Sequence, residues 1–124
     1  MPPKKVLIVE DEAALLKVLA EKFSLEGYSV FEARNGEEGL AAALLEHPDI
    51  ILLDIVMPKM DGITMLKKLR EDVWGHDAEV IVLTNLSDNT KLAEAMELGS
   101  YNFLIKTDWK IGDIIAKVKE RLHQ

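Results

Sequence analysis

Residues 50–62, IILLDIVMPKMDG, contain a short apolar run that ends on a single carboxylate, Asp54. A run of this length, preceded by Pro48 and followed by Pro58 and Gly62, predicts a strand that is buried on both faces. Ligands of open α/β sheets bind outside the carboxyl ends of the strands, so Asp54 is a candidate functional group. Alternatively, Asp54 only ends the strand or caps the next helix, and the other strand ends decide between these interpretations.

The composition is that of one ordinary globular domain covering residues 1–124, with 48% hydrophobic and 30% charged residues. The net charge of −7 argues against a nucleic-acid-binding surface. The absence of cysteine excludes disulfides, thiol catalysis and cysteine metal sites. We see no signal peptide and no apolar segment as long as a membrane span, so we expect a cytoplasmic protein without membrane contact.

Strand and helix patterns alternate five times along the chain, with short connections. Each predicted strand precedes a segment whose apolar residues recur at helical spacing. Such alternation predicts an α/β fold in which a parallel sheet has helices on both faces. The predicted strands are residues 5–9, 28–32, 49–54, 79–84 and 101–105.

Local patterns predict further details of the helices and loops. Asn35 is expected to cap the second helix, with Glu38 reaching back as in a capping box. Residues 74–77 are a predicted loop, and the three histidines are expected at the surface. The first two helices are expected to pack inward through Leu15, Val18, Leu19, Phe23, Leu40, Ala43 and Leu44.

Polar side chains stand at four predicted strand ends: Glu10 and Asp11, Asp54, Thr84, and Lys106. The carboxyl ends of parallel strands lie at one edge of a sheet, so these residues converge. Clustered carboxylates repel one another, and an all-oxygen cluster suits Mg²⁺. A carboxylate beside Mg²⁺ can attack phosphorus, while the lysine supplies charge and the threonine a hydrogen bond. Helix capping would explain one acid after the first strand, but three in succession exceed what a cap needs.

These motifs resemble the receiver domain of two-component response regulators, in particular stand-alone receivers. The resemblance runs from about residue 6 to about residue 122 and implies a flavodoxin-like sheet of five parallel strands in the order 2-1-3-4-5. The matching motifs are VLIVEDE at residues 6–12, Asp54 with Met57-Pro58 and Met60-Asp61-Gly62, Thr84, and Lys106.

The resemblance also implies the chemistry. Asp54 would accept a phosphoryl group from a phosphohistidine on a sensor histidine kinase or a histidine phosphotransfer protein, assisted by Thr84 and Lys106. Glu10, Asp11 and the backbone carbonyl of Val56 would place Mg²⁺, with Asp11 and Asp54 as direct ligands.

The resemblance further implies a switch, in which Thr84 moves toward the phosphate and Phe103 is the switching aromatic. Phe103 is equally explained as a core aromatic. The new phosphate adds charge and acceptor oxygens, so it shifts the population toward the arrangement that reaches it best. The face formed by the fourth helix, fifth strand and fifth helix would then change its downstream protein partner.

Several positions depart from the family pattern. Thr107 follows Lys106 where receivers usually have a cis proline, and a cis bond before a non-proline costs about 2.5–4 kcal/mol. We therefore expect either a trans bond with a rearranged loop or a strained cis bond. Asn85 replaces a small residue and narrows access to the site. Val56 and Leu86 flank the path of attacking water in receivers; both are apolar, which predicts slow self-dephosphorylation.

Two other functions are consistent with parts of this pattern. A Mg²⁺-dependent hydrolase with an aspartyl-phosphate intermediate usually has a second acid two residues after the nucleophile, where this chain has Val56. A receiver-like interaction module would bind partners without phosphorylation. We expect a switch that catalyses only its own phosphorylation and dephosphorylation, either as a complete single-domain regulator or as part of a longer protein.

Overall fold

Five β-strands and five α-helices alternate along the chain, as the sequence pattern predicts. The computed structural model describes residues 2–84, 89–99, 102–105 and 110–123. In chain order the elements are β1 (Lys5–Val9), α1 (Ala13–Leu25), β2 (Ser29–Ala33), α2 (Gly36–Glu46), β3 (Ile50–Asp54), α3 (Gly62–Glu71), β4 (Val80–Thr84), α4 (Asn89–Glu97), β5 (Asn102–Ile105) and α5 (Ile111–Arg121).

The five strands form one parallel sheet in the order β2-β1-β3-β4-β5. The central strand β3 is buried along its whole length. In the pairing register Val9 lies beside Leu53, and Asp54 lies beside Leu83. The register therefore aligns the carboxyl ends of β1, β3 and β4. The predicted fold class and strand order are confirmed.

Side chains alternate along each inner strand and build a separate core on each face of the sheet. On one face, Leu7, Val9, Ile51 and Leu53 pack with α2, α3 and α4. On the other, the intervening strand residues pack with α1 and α5, including Leu16, Leu19, Phe23, Ile114 and Val118. None of the described helices is long and apolar enough to cross a membrane.

Helix α2 has the predicted cap with one change. The Asn35 side chain accepts a hydrogen bond from the Glu38 N–H at 2.9 Å. The Glu38 carboxylate accepts from the Arg34 N–H at 3.1 Å, one residue before the partner that a capping box predicts.

Several predicted boundaries and orientations need correction. Strands β2, β3 and β4 begin one residue later than predicted, at Ser29, Ile50 and Val80. The predicted first residue of β5, Tyr101, lies outside the described residues. Val18 and Leu44 are exposed, because each lies at the margin of its helix's apolar face.

The predicted loop at residues 74–77 contains one turn of 3₁₀ helix, Gly75–Asp77. His47, His76 and His123 are exposed, as expected. Although His47 is exposed, its ring stacks on the Trp74 ring, with the two ring centroids 4.3 Å apart.

A half-buried arginine joins α3, the 3₁₀ turn and α4. The Arg70 Nε donates to the Leu98 carbonyl at 2.7 Å, just beyond the end of α4. Its Nη1 donates to the carbonyls of Gly75 and Ala78, both at 2.8 Å. Burial lowers the pKa of Arg70, while Asp77 and Glu79 oppose that shift. The guanidinium therefore ties together three carbonyls from segments that are separate in the sequence.

We expect Arg70→Met to lower the free energy of unfolding by about 3 kcal/mol, because it leaves three carbonyls without their charged donor. Urea denaturation measures the change. The control is Arg121→Met, which breaks a surface ion pair with Glu79 and should cost much less. Equal losses in the two variants would contradict the proposed importance of the buried guanidinium.

Candidate functional site

Three carboxylates meet at the carboxyl edge of the sheet. Glu10 and Asp11 follow β1, and Asp54 is the last residue of β3. One ligand oxygen from each residue lies within 4.8 Å of the others. Glu10 is fully buried and Asp54 is 4% exposed, whereas Asp11 is exposed. The structure thus brings together the three acids that the sequence predicts as a cluster.

Backbone pairing holds the acids in these positions. The Glu10 N–H donates to the Ala33 carbonyl at 3.0 Å, which continues the β1–β2 ladder by one residue. Because Val9 lies beside Leu53 in the β1–β3 register, the next residues, Glu10 and Asp54, are neighbours. The Asp11 N–H donates to a Glu10 carboxylate oxygen at 3.1 Å. The parallel register and this local turn therefore set the geometry of the cluster.

Helix capping does not account for these acids. Among the described residues, Glu12 occupies the cap position of α1 but makes no capping hydrogen bond with its side chain. The cap of α3 is Asp61, whose carboxylate accepts from the Thr64 N–H at 2.8 Å. Asp54 therefore ends β3 but is not the cap of α3.

The donor set fits a small divalent cation. Mg²⁺ binds oxygen ligands at about 2.1 Å, so two ligands on opposite sides of the ion are about 4.2 Å apart. The carboxylate oxygens of the cluster lie within 4.8 Å of one another. Two unit charges at that distance repel by about 3.5 kcal/mol at an effective dielectric constant of about 20. A bound cation would offset this repulsion, and the all-oxygen donor set favours Mg²⁺ over softer metals.

The loop after β3, residues 55–61, follows Asp54 directly and is partly buried. Ile55 and Met57 are buried, whereas the Val56 side chain between them is 64% exposed. The Gly62 N–H donates to the Ile55 carbonyl at 2.8 Å. A Cβ atom at Gly62 would lie 2.2 Å from the Asp54 carbonyl oxygen, so only glycine permits this approach.

The start of α2 also contacts this loop. The Gly36 N–H donates to the Met60 carbonyl at 2.9 Å. The sequence predicted Asn35 as a helix cap but gave no signal for this contact, because it joins segments more than 20 residues apart.

The other predicted site residues lie at the ends of β4 and β5. Thr84 is the last residue of β4 and pairs with Ile105 in the register. Phe103 lies beside Val82 and is partly buried against the core on the α4 face. Lys106, which follows β5, lies outside the described residues.

Three further sequence predictions also fall outside the described residues. They concern the Lys106–Thr107 bond and the side chains of Asn85 and Leu86.

Comparisons with known proteins identify relatives over nearly the whole chain. Sporulation initiation phosphotransferase F of Bacillus subtilis (strain 168) is 36% identical over 122 residues, covering 98% of this chain and 96% of that protein. The probable transcriptional regulator ycf27 of Porphyridium aerugineum is 37% identical over 106 residues, covering 86% of this chain and 43% of that protein. The chain therefore spans about two-fifths of the length of such ycf27 relatives.

Solved structures and a family model agree with these relatives. A chain in the crystal structure of the CheX-CheY-BeF₃-Mg²⁺ complex from Borrelia burgdorferi has a TM-score of 0.83 and 31% identity, covering 95% of this chain and 88% of that chain. The family model described as the response regulator receiver domain matches residues 6–119. The fold, the acidic cluster and this match together show that the chain belongs to the response regulator receiver domain family.

Proposed function

We propose that the chain is a phosphoacceptor switch of a two-component or phosphorelay system, with Asp54 as the phosphorylated residue. The observation that supports this most directly is the buried Asp54 carboxylate at the end of the central strand, within 4.8 Å of two other acids. Glu10, Asp11, Asp54 and the backbone carbonyl of Val56 are the groups that would hold Mg²⁺. When bound, Mg²⁺ supplies positive charge beside the carboxylates and the phosphoryl oxygens.

The proposed transfer is a displacement at phosphorus. An Asp54 carboxylate oxygen attacks the phosphorus of a partner's phosphohistidine, and the new P–O bond forms as the P–N bond breaks. The electron pair of the broken bond returns to the imidazole nitrogen, which takes up a proton from water. The product is an acyl phosphate on Asp54. Lys106 would pair with the phosphoryl oxygens, and Thr84 would donate a hydrogen bond to them.

The switch would act through the part of the sheet next to Asp54. Leu83 lies beside Asp54 in the register, so a change at the acceptor reaches the end of β4 directly. We infer that Thr84 and Phe103 relay this change to the face formed by α4, β5 and α5, which would bind a downstream protein. The phosphoryl donor would be a sensor histidine kinase or a histidine phosphotransfer protein.

We expect one phosphate adduct when the chain is incubated with acetyl phosphate and Mg²⁺, and none for Asp54→Asn, because an amide is not a nucleophile toward phosphorus. Intact mass spectrometry measures the adduct. The control is Asp61→Asn, which retains a residue able to cap α3 and should be phosphorylated like the wild type.

No adduct on the wild type would contradict the proposed function and favour an interaction module that works without phosphorylation. Catalytic turnover of a small phosphate ester would instead favour a hydrolase.

We expect Asp11→Asn to raise the Kd for Mg²⁺ by about tenfold or more, because a carboxylate ligand is lost. Isothermal titration calorimetry measures the Kd. Glu12→Gln is the matched control, since Glu12 is exposed and is not part of the three-acid cluster. Equal affinities in all three proteins would show that this cluster does not bind the ion.

The exposed Val56 side chain cannot orient a water molecule, so we expect slow loss of the phosphate. Val56→Glu should speed this loss by about tenfold. A well-positioned general base gives about 100-fold or more, and a glutamate introduced at an exposed position is not held in place as such a base is. The decay of the adduct mass gives the rate. Val73→Glu, at a valine that is 97% exposed and far from the site in sequence, is the control. Rapid decay in the wild type would contradict the prediction.

A further inference from the structure

The loop at residues 55–61, which follows the phosphoacceptor Asp54, is held by contacts at both of its ends. Its two ends are joined by the hydrogen bond from the Gly62 N–H to the Ile55 carbonyl at 2.8 Å. The absence of a side chain at Gly62 lets the start of α3 lie against the Asp54 peptide. Ile55 and Met57 are buried in the core shared with α2 and α3. The loop is therefore fixed at both ends and along its inner side.

Helix α2 packs against the same loop from a different part of the sequence. Gly36 is the first residue of α2 and is buried. A Cβ atom at this position would lie 2.3 Å from the Met60 carbonyl oxygen and 2.8 Å from the Met60 Cβ. Gly36 does not have a positive φ angle, so close approach, and not backbone conformation, makes glycine necessary here.

The contact also provides a hydrogen-bond acceptor for the start of the helix. The first N–H groups of an α-helix have no partner within the helix. In α2, the Asn35 side chain accepts from the Glu38 N–H, and the Met60 carbonyl accepts from the Gly36 N–H. The positive end of the helix dipole also favours a carbonyl oxygen at this position. The helix end and the loop therefore stabilise each other.

We propose that Gly36 is a positioning residue for the phosphorylation site, acting through Met60 on the loop that carries the Val56 carbonyl. The proposal rests on the proposed function, since it concerns Mg²⁺ binding and phosphorylation at Asp54. Because the loop is held at Ile55 and Gly62, we infer that a displacement of Met60 is taken up by the backbone of residues 56–61, and that it reaches Val56 although the Met57 side chain is buried. Val56 and its carbonyl lie in that interval, directly after the acceptor strand.

The test compares three glycine-to-alanine variants that differ in where the new methyl group meets the protein. At Gly36 it meets the Met60 carbonyl. Gly75 lies in the 3₁₀ turn that precedes β4, and so near the amino ends of the strands, away from the acids. A Cβ atom there would lie 2.2 Å from the Leu69 carbonyl oxygen, which is a backbone contact of the same kind. At Gly112, in α5, nothing lies within 4 Å.

For each variant we would measure the Kd for Mg²⁺ by calorimetry, the phosphorylation rate with acetyl phosphate by intact mass, and stability in urea. We expect Gly36→Ala to raise the Kd about tenfold, the size of effect that groups supporting metal ligands commonly have. Gly75→Ala should lose stability with an unchanged Kd. Gly112→Ala should keep the wild-type Kd and phosphorylation rate and have equal or higher stability, because alanine favours the helix.

The outcomes separate this proposal from the proposed function. A wild type that binds Mg²⁺ and is phosphorylated, with equal Kd values for Gly36→Ala and Gly75→Ala, would overturn the positioning role alone. A wild type that neither binds Mg²⁺ nor accepts phosphate would overturn the proposed function and this proposal with it.

A second measurement uses the wild type and does not depend on whether a variant folds. Coupling between two sites is reciprocal, so filling the site should protect the Gly36 amide from hydrogen exchange. We would follow exchange by NMR before and after saturation with Mg²⁺ and beryllofluoride, which resembles a phosphoryl group in shape and charge. The control is the Gly39 amide, which donates to Asn35 in the same helix. Equal gains in protection at Gly36 and Gly39 would overturn the proposal.

Discussion

The parallel register of β1, β3 and β4 is the constraint on which the site depends. Two residues, Glu10 and Asp54, become neighbours only because Val9 lies beside Leu53. A slip of one residue would turn the side chains of the slipped strand to the opposite faces of the sheet. The same pairing that buries the two cores therefore also fixes the acids, and the register cannot change without loss of core packing.

The two buried carboxylates, Glu10 and Asp54, lie close to solvent at the carboxyl ends of the strands. Glu10 and Asp54 are buried at the carboxyl ends of β1 and β3, whereas the neighbouring Asp11 is exposed to water. The carboxylates of this cluster repel one another, so a cation or a hydrogen-bond donor beside them would stabilise their charged forms. The site thus lies at the boundary between an apolar sheet and solvent.

Close backbone contacts help to hold the loop after β3 in place. At both Gly36 and Gly62 a methyl group would meet backbone atoms, at 2.3 and 2.2 Å. Backbone atoms cannot turn aside as the tip of a side chain can, so neither position has room for a side chain. The Arg70 hydrogen bonds have a similar effect at the far end of α3, where one guanidinium joins the 3₁₀ turn to the end of α4.

The sequence by itself determined the alternation of strands and helices and the burial of β3, because side-chain period is a local property. It also placed the acids directly at strand ends, and the register of the parallel strands then brought them together. It also predicted the Asn35 cap, which needs only neighbouring residues. Tertiary structure alone decided the Gly36–Met60 contact, the Arg70–Leu98 hydrogen bond and the stacking of His47 on Trp74. Each joins segments distant in the chain, and such contacts depend on how whole elements pack, which no local pattern of residues encodes.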